Sequence, residues 1–136
     1  MTIKAATPYL TLGGKAAEAV PFYQRALGAE VTALQRFGEV QHNCPDAMKN
    51  QVMHAELKVG DALLMMSDGT PDTKPTPGGT VNVALNFDNS AQARKCFEAL
   101  SEKGAVFQPL IDAPWGALFG ALQDQYGVNW MFNSAK

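Results

Sequence analysis

His54 and Glu56 are the residues of this chain best equipped for chemistry. They stand two apart in Val52-Met53-His54-Ala55-Glu56-Leu57-Lys58-Val59, a stretch in which polar and apolar residues alternate. In an extended chain this alternation sends Met53, Ala55, Leu57 and Val59 to one face, and Val52, His54, Glu56 and Lys58 to the other. An imidazole near a carboxylate can exchange protons near neutral pH. The pair therefore reads as an acid/base couple, with His54 acting and Glu56 assisting. Residues i and i+2 of a strand sit about 6–7 Å apart at the backbone, so the spacing assures no hydrogen bond between them. They are expected to bracket a small ligand. The plainer alternative is that His54 hydrogen-bonds within a polar wall and Glu56 is solvated.

The elements that must position this pair can be read along the chain. Thr7 to Leu12 is a short strand with Pro8 at its entry. After Gly13-Gly14, the residues Ala16, Val20, Tyr23 and Leu27 make one stripe of a helix over 15–27, kinked or begun at Pro21 and capped by Gly28. Glu30 to Phe37 is a strand, 38–50 a polar loop, 51–59 the strand of His54, Gly60-Asp61 a turn, and Ala62 to Ser67 a strand. Segment 68–79 holds Pro71, Pro75, Pro77 and three glycines, and reads as a linker or flap. Thr80 to Phe87 is again an alternating strand. Asp88-Asn89-Ser90 offers caps for a helix to about Lys103, with Ala93, Phe97 and Leu100 buried and Gly104 at its end. Ala105 to Leu110 is a strand. Trp115 to Asn133 is a hairpin turning at Asp124 to Gly127.

The same order occurs twice: strand, helix, Gly-Ala, three strands. Leu27-Gly28-Ala29 answers Lys103-Gly104-Ala105. The fold class is thus α+β, a single domain over 1–136 built from tandem βαβββ modules at about 7–67 and 80–133. One helix covers only one face of a four-stranded sheet, so the other face must be buried by a second sheet, a second subunit or a ligand. A curved, cup-shaped mixed sheet and a homodimer are expected. Parity places Trp130 with Phe132 in the core. Tyr9 and Trp115 read as cup lining or as core packing. Asn82, Asn86, Asn129 and Asn133 share the inward parity, as donors and acceptors for a neutral organic ligand.

Other features carry less. His42-x-Cys44-x-Asp46 has ligand-type residues, but no second cluster completes a metal site and the segment reads as an exposed loop. Cys44 and Cys96 are expected to be free thiols in a reducing cytoplasm. Gly13-Gly14 lacks the spacing of a phosphate loop, no glycine-rich nucleotide-binding unit is seen, and no Gly-x-Ser-x-Gly is present. The 136 residues carry a net charge of −2, with 18% charged and 46% hydrophobic residues. No Lys/Arg run marks a nucleic-acid surface, the apolar runs are too short to span a membrane, and no secretory leader opens the chain.

Several segments resemble the vicinal oxygen chelate superfamily (glyoxalase, bleomycin resistance, extradiol dioxygenase) and its PhnB-like subgroup. They are Pro8-Tyr9-Leu10, Phe22-Tyr23 through Leu27-Gly28-Ala29, His54-Ala55-Glu56-Leu57, Gly60-Asp61 through Leu64-Met65-Met66-Ser67-Asp68, and Asp124-Gln125-Tyr126-Gly127-Val128-Asn129-Trp130-Met131. The resemblance implies two βαβββ modules. It also implies, for the metalloenzymes of the group, His or Glu ligands on the first and last strands of each half. Strand parity puts Thr7 and Leu64 in those slots, with Met66 the neighbouring register, and Asn82 and Met131 in the second half. Leu and Met offer no hard donor and Thr and Asn only weak ones, so neither metal nor cofactor is expected.

The resulting expectation is a protein binding a small organic molecule without metal, contacting it through Tyr9, His54, Glu56, Met66, Asn82, Trp115, Asn129 and Met131. The first alternative is a metal-independent isomerase or lyase of a small carbonyl compound with His54 as acid/base. The second is a drug-sequestering resistance protein.

Overall fold

A computed structural model describes residues 3–40, 43–69, 78 and 81–135. The chain falls into two compact units, Met1–Thr76 and Pro77–Lys136. His42, and most of the 68–79 segment read as a linker, lie outside the described residues. No described helix is long and apolar enough to cross a membrane.

The first unit runs β1 (Tyr9–Thr11), α1 (Ala16–Leu27), β2 (Glu30–Arg36), α2 (Phe37–Val40), a 3₁₀ turn (Asp46–Met48), β3 (Val52–Val59) and β4 (Ala62–Ser67). Its sheet has the order β1-β4-β3-β2, with β1 parallel to β4 and the other pairs antiparallel. The second unit repeats the plan as β5 (Val83–Phe87), α3 (Ser90–Leu100), β6 (Ala105–Asp112), β7 (Leu118–Gln123) and β8 (Asn129–Ser134). Its order, β5-β8-β7-β6, is the same arrangement with the same single parallel pair. The tandem βαβββ reading and the α+β class therefore hold.

Each helix stripe meets the apolar face of its sheet. In the first unit Ala16, Ala19, Val20, Phe22, Tyr23 and Ala26 of α1 are buried, as are Ala55, Leu57, Leu64 and Met66 of the sheet. Helix α1 runs through Pro21 and ends at Gly28, which takes φ +67° and returns its N–H to the Gln24 carbonyl. Its first turn has no side-chain cap of its own. The buried Asp68 supplies one from more than 50 residues away: Oδ1 accepts from the N–H groups of Gly14 and Ala16, each at 2.8 Å, and Oδ2 from Val52 at 2.8 Å. One carboxylate thereby ties the helix start to the start of β3.

The second unit has a matching device. Buried Asp124 accepts at Oδ1 from the N–H groups of Tyr126 (2.8 Å) and Val128 (3.1 Å), and at Oδ2 from the Trp130 indole (2.9 Å). It shapes the β7–β8 loop, in which Gly127 has φ +86°, and anchors the fully buried Trp130. Asn89 caps α3 by accepting from the Gln92 N–H. Cys44 and Cys96 are free thiols, and burial pushes the Cys96 thiol up.

Several boundaries differ from the sequence reading. β1 is only three residues long, so Thr7 precedes it. Residues 38–50 hold a helical turn and a 3₁₀ turn rather than a plain loop, pinned by Phe37 N–H to Gln51 and Gly38 N–H to Lys49. α3 stops at Leu100, and Trp115 sits in the β6–β7 turn rather than in a strand.

Candidate functional site

The register of the first sheet assembles the site. Tyr9 of β1 pairs with Met65 of β4, and Met65 pairs with Glu56 of β3, so the three lie in one row on one face. His54, two residues before Glu56, projects from that face as well. The Tyr9 hydroxyl is 2.9 Å from His54 Nδ1, and His54 Nε2 is 2.9 Å from Glu56 Oε2. The two rings stand 5.7 Å apart between centroids, tilted by 34°. The polar ends remain reachable: Tyr9 is 48% exposed, and the side chains of His54 and Glu56 are 27% and 33% exposed.

The chemistry of the partners fixes the direction of these bonds. A carboxylate can only accept, so Glu56 takes the Nε2–H of His54. In the neutral ring Nδ1 is then the acceptor, and the Tyr9 hydroxyl donates to it. The result is a directed chain, Tyr9 O–H to His54 to Glu56, spanning β1 and β3 on either side of β4.

One point the spacing left open is settled here, and one expectation is corrected. His54 and Glu56 do hydrogen-bond, because two long side chains leaning towards each other close the distance that their backbones leave open. Met66 does not line this face. It pairs with Leu10 and Ala55 and is fully buried on the helix side; Met65 occupies the row with Tyr9 and Glu56. The run Ala62-Leu63-Leu64-Met65-Met66 is apolar on both parities, so nothing in it marks which Met faces which way. The link between Tyr9 and His54, 45 residues apart, was also invisible in sequence, since it depends on the parallel β1–β4 pairing.

In the second unit Asn129, Met131 and Asn133 share one face of β8, with Asn86 paired to Asn133 and Ala84 to Met131. Asn129 accepts from Gln123 Nε2 at 3.2 Å and donates to the Gly78 carbonyl. Trp115, 64% exposed, stands edge-on to Phe119 at 5.5 Å, and Phe119 pairs with Asn133. Asn82 precedes β5 and is exposed. Trp130 and Phe132 are core residues, as their parity predicts.

The glyoxalase/bleomycin resistance protein/dioxygenase superfamily matches residues 9–132. The chain belongs to this superfamily. Protein YjdN of Escherichia coli is 30% identical over 140 residues, spanning 96% of this chain and 95% of that protein. The crystal structure of PA1353 from Pseudomonas aeruginosa is similar with a TM-score of 0.87 at 36% identity, covering 98% of each chain. The PhnB protein of Bacillus cereus, with a TM-score of 0.78 at 26% identity over 97% of this chain and 100% of that one, supports the PhnB-like subgroup.

Metalloenzymes of this superfamily need hard donors. Leu64, at one of the implied slots, is an aliphatic side chain buried in the helix-side core. Met131 offers only a thioether, and Thr7 and Asn82 only neutral oxygens. Among the described residues no three His, Cys, Asp or Glu side chains gather in a group that could hold a metal ion. These residues do not fit the superfamily's metal.

Proposed function

We propose that this PhnB-like protein binds a small organic molecule, without metal, on the sheet face that carries Tyr9, His54 and Glu56. The observation that carries this reading is the hydrogen-bonded trio itself. Three polar side chains are held in fixed geometry by two strands and by each other, while each keeps part of its surface open. Polar groups preorganised on regular elements favour recognition, because little side-chain entropy remains to be lost on binding. Asn82, Trp115, Asn129 and Met131 are proposed as neutral contacts on the second unit's own face.

A fragment screen by thermal shift, followed by titration of each hit against wild type and His54→Ala, tests the reading. The expected result is at least one hit whose affinity falls about tenfold or more in the variant, about 1.4 kcal/mol. If every hit binds the variant as tightly as the wild type, the site is wrongly assigned.

A second reading, acid/base isomerisation or lysis of a small carbonyl compound, is supported by the 2.9 Å contact of His54 with Glu56. An oriented, charge-compensated imidazole is the usual form of a general base. Drug sequestration ranks last. A cationic drug would favour an acidic groove, and Glu56 is the carboxylate placed to supply one.

A further inference from the structure

We propose that Tyr9, rather than His54, is the group that exchanges a proton with the bound molecule, and that the molecule is a small, weakly acidic hydroxyl compound such as a phenol or enol. This rests on the binding reading above and goes beyond it by naming the reacting atom and the ligand class.

Both ring nitrogens of His54 are already engaged. Nε2 faces Glu56 and Nδ1 faces Tyr9, each at 2.9 Å, so no ring nitrogen is left to meet a ligand. Tyr9 is the outer end of the chain and its most exposed member. Its own proton is committed to Nδ1, so the phenolic oxygen presents lone pairs outwards. It is an acceptor, and it selects a ligand that donates.

The proton transfer follows from this arrangement. The ligand O–H bond breaks as a new O–H bond forms on Tyr9 Oη. The original Tyr9 O–H bond breaks, and that proton passes to His54 Nδ1. The products are the ligand oxyanion and an imidazolium whose Nε2–H faces the Glu56 carboxylate. No electrons change hands and no co-reactant is needed. The effective base is thus an imidazole acting through a phenol. Free imidazole takes a proton near pH 6.5 and free phenols lose theirs near pH 10, about 3.5 units apart. That gap is small enough for phenols and enols, whereas unactivated alcohols are far weaker acids and their gap is too large.

The groups around His54 leave the chain of bonds unopposed. Gln35 is its partner on β2, Met65 flanks Glu56 on β4, and Tyr9 is the titratable group from β1. The next charged side chains by register are Arg36, the β2 partner of Val52 two residues before His54, Lys58, two residues beyond Glu56, and Glu30, the partner of Lys58 on β2.

4-Nitrophenol is a suitable probe, because it turns yellow on losing its proton. With wild-type protein in excess, the yellow form is expected at a lower pH than in free solution. Tyr9→Phe should abolish that shift and weaken binding about tenfold or more. His54→Gln should keep a phenol at position 9 but lose the colour shift, since the proton has nowhere to go. If the probe binds and its colour is shifted equally by wild type and Tyr9→Phe, Tyr9 is not the reacting group, while loss of fragment binding in His54→Ala would still uphold the binding site. If the probe does not bind at millimolar concentration, the ligand class is wrong. Nitrogen NMR supplies a ligand-free check. Neutral His54 should carry its proton on Nε2, and the opposite tautomer overturns the relay.

Discussion

The two units share one frame and differ in what they display on it. When the core row Leu10–Met66–Ala55 is matched to Leu85–Phe132–Gly120, the neighbouring row on the other face is Tyr9–Met65–Glu56 in the first unit and Ala84–Met131–Ala121 in the second. His54 then corresponds to Phe119. Methionine stands at the centre of both rows, but the titratable trio of one unit is replaced by two alanines and a phenylalanine in the other. The polar groups of the second unit's face are amides: Asn86, Asn129, Asn133 and Gln123. A repeated frame can thus hold its core constant while one copy carries proton chemistry and the other offers neutral hydrogen bonding. Core positions are constrained by packing on every side. The opposite face is constrained only by what it must bind.

The comparison is sharpest at the two buried carboxylates. Asp68 and Asp124 each take three hydrogen bonds and each stand near a strand end, yet they secure different things. Asp68 closes a helix start onto β3, whereas Asp124 closes a loop onto a tryptophan. Replacing either with alanine orphans three donors, each buried or part-buried, so we expect losses of about 3–5 kcal/mol for each. Urea unfolding of Asp68→Ala and Asp124→Ala measures both. A loss under about 1 kcal/mol in one of them would show that its unit does not depend on the carboxylate, and the parallel between the units would fail there.

How much of this was readable beforehand follows from how local each cause is. The repeat was legible because glycines and alternating strands punctuate it at matching places. Ala62 to Ser67 was bounded correctly as a strand because Gly60-Asp61 closes one end. The orientation of Met66 was not legible, because an apolar run has no period to read. The roles of Asp68 and Asp124 were not legible either. Asp68 looks like a linker residue and Asp124 like a turn residue until the N–H groups they accept from are brought to them by the fold. The same holds for the site. His54 and Glu56 could be paired from their spacing, but Tyr9 joins them only through the parallel β1–β4 pairing, and no local pattern announces which strands of a chain become neighbours.

Gly28 and Gly104 follow equivalent helices in matching Gly-Ala pairs, and the sequence assigns both the role of cap, although α3 stops at Leu100, four residues before Gly104. The structure separates them. Gly28 takes φ +67° with open space around it, so an added Cβ meets nothing. At Gly104 the left-handed turn has moved back one residue, to Lys103 at φ +59°, and the glycine is required for room: a Cβ there would overlap the Gln123 carbonyl oxygen. Gly104→Ala should therefore cost about 2–3 kcal/mol by forcing strand β7 aside. Gly28→Ala should cost about 1 kcal/mol, from left-handed strain alone. Thermal unfolding of the two variants ranks them; equal losses would mean that the two glycines are equivalent after all, and the reverse order that the close approach at Gly104 is relieved without cost.

Lys103→Gly isolates the remaining term. A lysine held at φ +59° bears roughly 1–2 kcal/mol of left-handed strain, which glycine removes. Against that, glycine gains freedom in the unfolded chain, worth about 0.5–1 kcal/mol. The two nearly offset, and the expected result is a change within about 1 kcal/mol on the stabilising side. This sign is opposite to that of Gly104→Ala one residue later. A clear destabilisation would mean that the Lys103 side chain makes a contribution of its own at the end of α3, one that the glycine in the first unit has no means to match.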